Sequence, residues 1–506
     1  MRFAYRCYHQ GHINRALKGL EAASIWAYNL NFVYTDADAE KLIKDIAENK
    51  IERKQIDNPI HNRCVLIDSF LLDNRGLSQQ YLRAMMANDM EILVVYTTAG
   101  GNIGRDTLSE IKSYNKAKFL SFKKGMDLIE EAQQINKSIE VFSPAHIFLH
   151  LTPWDVVALM ACHSIKGPKT YQINLTDHAY WAGANFIDYN LEFRPYGYTV
   201  SLEKRGLKAE QLLALPYYPI TPISSEFKGF PDLPPNVIKV LTGGALYKML
   251  GKNDIFFHMM ERILSVSPYV YILVAGFNPN RSFNEKVSKI KGGDRVVQIG
   301  IRHDIDAVFD NCDIFLETYP TSGALMAQYA AIHAKPMIAY RDENDMENAI
   351  EEVVYSEKDY RSYTNLDAMT EYAEKLINDV DFRLTEGQKL HKNMINADHF
   401  NQSFFDIINN HHPISGWEKD NIDYEAFFNR YLELENQQFL ATKAVIRCLK
   451  TNTFNAITIC RKNLIEQSLK IFLIRIARLV ASRAKLSMRF ITLSYKQPIL
   501  TRCMKK

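Results

Sequence analysis

Four short stretches of this 506-residue chain carry side chains able to do chemistry on a bound molecule. In Thr242-Gly-Gly-Ala-Leu-Tyr-Lys248, two glycines, Gly243 and Gly244, precede a lysine. Glycines let the backbone come close to a ligand, and Lys248 would bring a cation to a diphosphate. The spacing is neither a P-loop, which ends in Gly-Lys-Ser/Thr, nor a GxGxxG turn. In Glu317-Thr-Tyr-Pro-Thr-Ser-Gly323, the residues Thr321, Ser322 and Gly323 stand just ahead of a helical pattern. Small hydroxyl residues there either cap the helix or, with its free amides and dipole, hold an anion. Asn174-Leu-Thr-Asp-His-Ala-Tyr-Trp-Ala-Gly183 sets Asp177 beside His178. Imidazole suits a general base that deprotonates a hydroxyl, with loop orientation as its other role. Asp177 would steer that histidine or serve in its place. Trp181 and Tyr180 either stack on a sugar or fill the core. Asp73-Asn-Arg-Gly76 offers Asn74 and Gly76 as a cap and turn or as an acceptor contact. His411 and His412 have no carboxylates at ligand spacing, so no metal site is expected.

These stretches fall where loops should follow strands. Cys64-Val-Leu-Ile-Asp68 and Glu91-Ile-Leu-Val-Val-Tyr96 are apolar runs of buried-strand type, with a helical pattern from Gln79 to Asn88 between them. Strand, helix, strand at this spacing predicts a parallel βαβ unit. Ala145–Leu149 and Lys169–Asn174 continue the strands, with a helix over Trp154–His163. The prolines between Tyr217 and Pro235 break both helix and sheet and read as a linker. A second series begins at once. Strands are predicted at 237–241, 270–276, 295–300, 313–316 and 335–340, with helices at 253–266, 305–311 and 323–333. The result is two Rossmann-like α/β domains facing each other, with ligands expected beyond the carboxyl ends of their strands.

Arg295-Val-Val-Gln-Ile-Gly300, Asp304, Cys312-Asp-Ile-Phe-Leu-Glu-Thr-Tyr-Pro-Thr-Ser-Gly323 and Ala334-Lys-Pro-Met-Ile338 together resemble the donor half of GT-B glycosyltransferases, over roughly residues 60–400. The resemblance implies that Gly243, Gly244 and Lys248 meet the donor diphosphate, with Thr321, Ser322 and Gly323. It also implies that Gly300, Arg302 and His303 sit by the nucleotide base, and that Glu317 matches an early acidic position. Tyr329 stands where many retaining members carry a second glutamate, so paired-glutamate chemistry is not implied. The Ser-Gly pattern is similar to O-linked N-acetylglucosamine transferase-like enzymes and related bacterial polysaccharide enzymes, without their His-Thr-Thr motif. Asp177-His178 with Tyr180-Trp181 and Gly183 resembles an acceptor-side motif of bacterial GT-B enzymes, followed by Glu192-Phe-Arg194.

Composition sets the frame. The chain is 47% hydrophobic and 24% charged, enough for large cores and ordinary for a globular protein. Seven scattered cysteines without a CxxC pair read as free thiols of a reducing compartment. From Ala441 to Lys506 there are fifteen Lys or Arg and one acidic residue, Glu466, which leaves the body net acidic. The apolar Ile471–Val480 stretch contains Arg475 and Arg478. At roughly 2.5–3.5 kcal/mol for each arginine at a bilayer centre, a membrane span is disfavoured. A basic amphipathic helix on anionic lipid fits better, with packing on the body as the other reading. The domain expectation is a helical segment over 1–58, an acceptor-side domain over 59–220, a linker over 221–236, a donor domain over 237–400 and a helical extension with the basic tail over 401–506. No signal peptide is read at the start, so a cytoplasmic chain is expected, held on the inner membrane face by its basic tail. The expected activity is metal-independent glycosyl transfer from a nucleotide sugar to a hydroxyl of a glycan or lipid-linked glycan, without a cofactor or nucleic acid, in surface polysaccharide synthesis. A nucleotide-sugar epimerase and a non-catalytic binding module of the same fold are the rivals.

Overall fold

The computed structural model describes residues 1–221 and 226–438 and, beyond these, Ala441, Ala444, Val445 and Cys448. The basic tail expected to meet lipid otherwise lies outside the described residues.

Two wholly parallel sheets organise the chain. The first has seven strands in the spatial order Ala117–Ser121, Glu91–Tyr96, Ile60–Asp68, Pro144–His150, Lys169–Ile173, Tyr189–Glu192 and Leu212–Ala214. The second has five: Val296–Gly300, Val270–Ala275, Ile238–Gly243, Ile314–Leu316 and Met337–Ile338. Helices cover both faces of such sheets, so central strands are apolar on both sides, and Cys64 to Ile67 are fully buried. Each sheet order reverses beside its first strand, Ile60–Asp68 or Ile238–Gly243. The crevices at these switch points open at the strands' carboxyl ends.

The first 58 residues form helices Arg2–His9, Ile13–Leu30 and Ala37–Lys50. They close one face of the first sheet: Leu17, Leu42 and Ile46 share an apolar cluster with Val65, Ile67 and Leu149. Asp36 caps the third helix by accepting from the Ala39 amide at 2.9 Å.

The helical C-terminal part is woven back into the body. Helix Ala397–Asn410 starts at the Asn396 cap and ends at His411 in the left-handed conformation. Its apolar face sits on the first domain, with Phe400 5.4 Å from Tyr81 and Phe404 5.3 Å from Phe148, ring centre to ring centre. Helix Tyr424–Gln438 then crosses between the halves. Arg430 on it grips both carboxylate oxygens of Asp345 at 2.6 Å.

Candidate functional site

A cleft of about 480 Å³ separates the carboxyl ends of the two sheets. The first domain contributes Gly76, Asp177, His178 and Arg194; the second contributes Gly244, Lys248, Glu347 and the run Thr321–Met326.

The loop after strand Lys169–Ile173 presents His178, whose side chain is 26% exposed with Nδ1 3.5 Å from Asp177 Oδ1. Buried charge fixes that loop. Arg194 donates to both oxygens of Asp177, at 2.5 and 3.0 Å. Burial works to raise the Asp177 pKa, but Arg194 and His178 outweigh it and hold the carboxyl down at about 2. Asp177 is held as an anion whose two oxygens are taken by Arg194, with the imidazole of His178 beside it. Arg205 donates to the carbonyls of Asp177 and Ala179, each at 2.8 Å. Glu192 lies behind, taking hydrogen bonds from Asn174 at 2.8 Å and from Asn190 and Ser201 at 2.5 Å. Burial nevertheless pushes its carboxyl up to about 7.

Across the cleft, helix Ala324–Ile332 points its N-terminus at the opening. The loop before it is bonded from within. Glu317 Oε1 accepts from the amides of Thr318 and Gly323, both at 2.7 Å, and Asn348 Oδ1 accepts from the amide of Ser322 at 2.7 Å. The Ser322 and Gly323 amides are therefore occupied by the protein. An anion at this helix end would meet the first-turn amides of Ala324 and Leu325, which have no partner within the helix. Lys248 Nζ reaches the same place and donates to the Ser322 carbonyl at 2.6 Å. Burial lowers its pKa, opposed by the charges of Glu317 and Glu347. Glu317 in turn is raised by burial, against the hydrogen bonds it receives. Gly276, at φ 105°, lets the next loop pass close to this one, because a Cβ on it would sit 2.4 Å from the Gly244 carbonyl.

Several expected contacts lie elsewhere. Trp181 is 2% exposed and donates to Asn174 Oδ1 at 3.1 Å, so it packs behind the loop and does not reach an acceptor. Asn74 is outside the cleft lining; its backbone turns at φ 56° and its amide donates to Gln79 Oε1 at 2.7 Å, the cap-and-turn role. Gly76 does line the cleft. Gly243 is buried at the strand end against Met326. Gly300, Arg302 and His303 also fall outside the lining. Arg302 pairs with Asp304 at 2.5 Å and lies over Phe227 and Phe230 of the segment joining the halves. Conversely, Tyr28, Glu347, Asn348 and Tyr431 belong to the site or its frame and were not foreseen. Glu347 and Asn348 lie in the short 3-10 turn Met346–Asn348 that follows strand Met337–Ile338, where the carboxyl-end rule points. Tyr28 and Tyr431 come from packed helices and carry no such signal.

No protein-family model matches the sequence, and neither does any curated protein. Solved structures do resemble the fold. A glycosyltransferase from Rickettsia africae superposes at TM-score 0.50 with 10% identity, covering 69% of this chain and 98% of that one. An O-GlcNAc transferase mutant from Thermobaculum terrenum gives 0.49 and 12%, covering 87% and 80%. A putative UDP-N-acetylglucosamine 2-epimerase from Listeria monocytogenes gives 0.44 and 13%, covering 72% and 100%. With two parallel, doubly wound sheets facing each other across a cleft, and with the likeness to the Rickettsia structure, the chain has the GT-B fold.

Proposed function

We propose that this protein transfers a glycosyl group from a nucleotide sugar to an acceptor hydroxyl. The observation that supports this most is the opposition across one cleft: a partly exposed imidazole on the first domain faces a lysine and a helix N-terminus on the second. The donor diphosphate would lie on the second side, where Lys248, the Ser322 hydroxyl and the Ala324 and Leu325 amides offset its charge. The acceptor would enter from the first. His178 takes the proton of the acceptor hydroxyl as its oxygen bonds to the anomeric carbon. The bond from that carbon to the phosphate oxygen breaks, and its electron pair leaves with the diphosphate. Asp177, held by Arg194, orients the imidazole and stabilises its charged form. The charges already in the cleft supply this stabilisation without requiring a metal or cofactor.

The setting we propose is assembly of a surface polysaccharide on a lipid-linked glycan, at the inner face of a membrane. The basic composition of residues 441–506 supports it. No helix among the described residues is long and apolar enough to cross a membrane.

The decisive measurement is incubation with common nucleotide sugars. A transferase releases nucleoside diphosphate slowly to water and faster with acceptor. An epimerase of this fold would instead accumulate the epimeric sugar, and a binding module would release nothing. Either of those outcomes removes the proposal. Truncation after residue 440 should free the protein from anionic liposomes; continued sedimentation with them would remove the membrane assignment.

A further inference from the structure

Glu347 brings to the cleft wall a buried carboxylate oxygen without a hydrogen bond. It is 9% exposed and lines the opening from the donor side. Its Oε1 accepts from the Tyr431 hydroxyl at 3.0 Å. Its Oε2 receives no hydrogen bond. The nearest cation, Arg430, lies 3.7 Å from Oε2, and its guanidinium is already spent on Asp345 and on the Pro320 carbonyl at 3.1 Å. A buried carboxylate oxygen left this way is costly unless something donates to it.

Its position is also fixed relative to the donor loop. The Glu347 carbonyl accepts from Arg194 at 2.9 Å, which ties it to the His178 loop. The next residue, Asn348, holds the Ser322 amide and the Pro320 carbonyl, the latter at 3.1 Å. Glu347 is close enough to Lys248 for its charge to favour the protonated lysine. A group bonded to a diphosphate at Lys248 and directed toward His178 would share the cleft with this carboxylate.

We propose that Glu347 is the specificity-determining residue for the donor's glycosyl group. Its Oε2, which receives no hydrogen bond within the protein, accepts one from a ring hydroxyl, and its charge turns away uronic-acid sugars. The donor class is accordingly a neutral or N-acetylated hexose. This rests on the glycosyl-transfer reading above.

The test compares UDP, UDP-glucose and UDP-glucuronate, and GDP, GDP-mannose and GDP-mannuronate, by calorimetry on the full chain. In the wild type, the neutral sugar nucleotide of one series should bind at least tenfold more tightly than its uronate. Glu347→Ala should weaken the neutral sugar nucleotide about tenfold more than it changes the affinity for the diphosphate alone, the scale of one hydrogen bond to a charged group. Glu347→Gln removes the charge but keeps the shape and should narrow the gap to the uronate. A thermal melt within a few degrees of wild type shows that the variants are folded. If wild type binds no nucleotide sugar, the transfer reading fails and takes this one with it. If wild type binds them but both variants keep its affinity ratios within twofold, only the role of Glu347 is overturned.

Discussion

The two loops that face each other across the cleft are fastened by opposite means. The His178 loop is held by buried ions, Arg194 on Asp177 and Arg205 on two carbonyls, with the hydrogen-bonded Glu192 carboxyl beneath. The Thr321–Gly323 loop is held by hydrogen bonds from its own amides to Glu317 and Asn348. On the first side, charge is spent on fixing a single imidazole. On the second, structural bonds use up the inner amides and leave the outer ones, the hydroxyls and a lysine facing the opening. Buried ion pairs break at high cost when one member is removed, whereas an amide that loses its partner costs less.

That contrast can be pressed from its strongest point downward. Arg194→Leu should destabilise the protein by about 3–5 kcal/mol in chemical denaturation, because Asp177 is left buried and unpaired. A loss below about 1 kcal/mol would show that the ion pair does not hold this loop. His178→Ala should leave the melting temperature nearly unchanged while lowering transfer to acceptor by about 10²–10⁴-fold, the usual share of a general base. A fall in melting temperature that matched the fall in rate would make His178 structural.

The next effect is on pH dependence, and its sign differs for two carboxylates of the same side. Asp177, held at about 2, binds its proton less readily in the folded state, so its contribution is present above pH 4 and is lost as pH falls toward 2. Glu192, at about 7, binds its proton more readily when folded, so stability declines as pH rises from the ordinary glutamate range toward 7. The Glu192 effect is on the order of 3 kcal/mol, and Glu192→Gln should flatten it in denaturation curves taken from pH 4.5 to 7.5. An unchanged slope would place the titration elsewhere. The smallest effect belongs to the second side: Asn348→Ala should cost about 1–2 kcal/mol of stability and, on the proposed function, weaken nucleoside diphosphate binding by less than about tenfold. If it proves as damaging as Arg194→Leu, the two sides are not fastened differently.

The sequence made the central strands legible, because a parallel strand buried on both faces is a short unbroken apolar run. Cys64–Asp68 and Val270–Ala275 are of that kind. It was less clear at the sheet margins. Ala117–Ser121 is an edge strand with no fully buried residue, and Tyr189–Glu192 carries the polar pair Asn190 and Glu192. Both break the apolar pattern, the second because its side chains brace the His178 loop. Loop residues after strands, such as His178, Lys248 and Ser322, were accessible through the carboxyl-end rule. Trp181 was ambiguous for a physical reason: an indole stacking on a sugar and one donating to a buried Asn174 look the same in sequence. The parts of the cleft contributed by Tyr28 and Tyr431 depend on how distant helices pack, and no local spacing encodes that.

The internal bonding of the Thr321–Gly323 loop has a kinetic consequence. A phosphate-holding loop that is slack when empty must be ordered by its ligand, which slows capture and weakens affinity. Here Glu317 and Asn348 fix the loop as the chain folds, so the entropy of ordering it is no part of the binding equilibrium. Association of a nucleoside diphosphate should then be a single fast phase whose rate grows linearly with concentration, without the plateau that a loop rearrangement would impose.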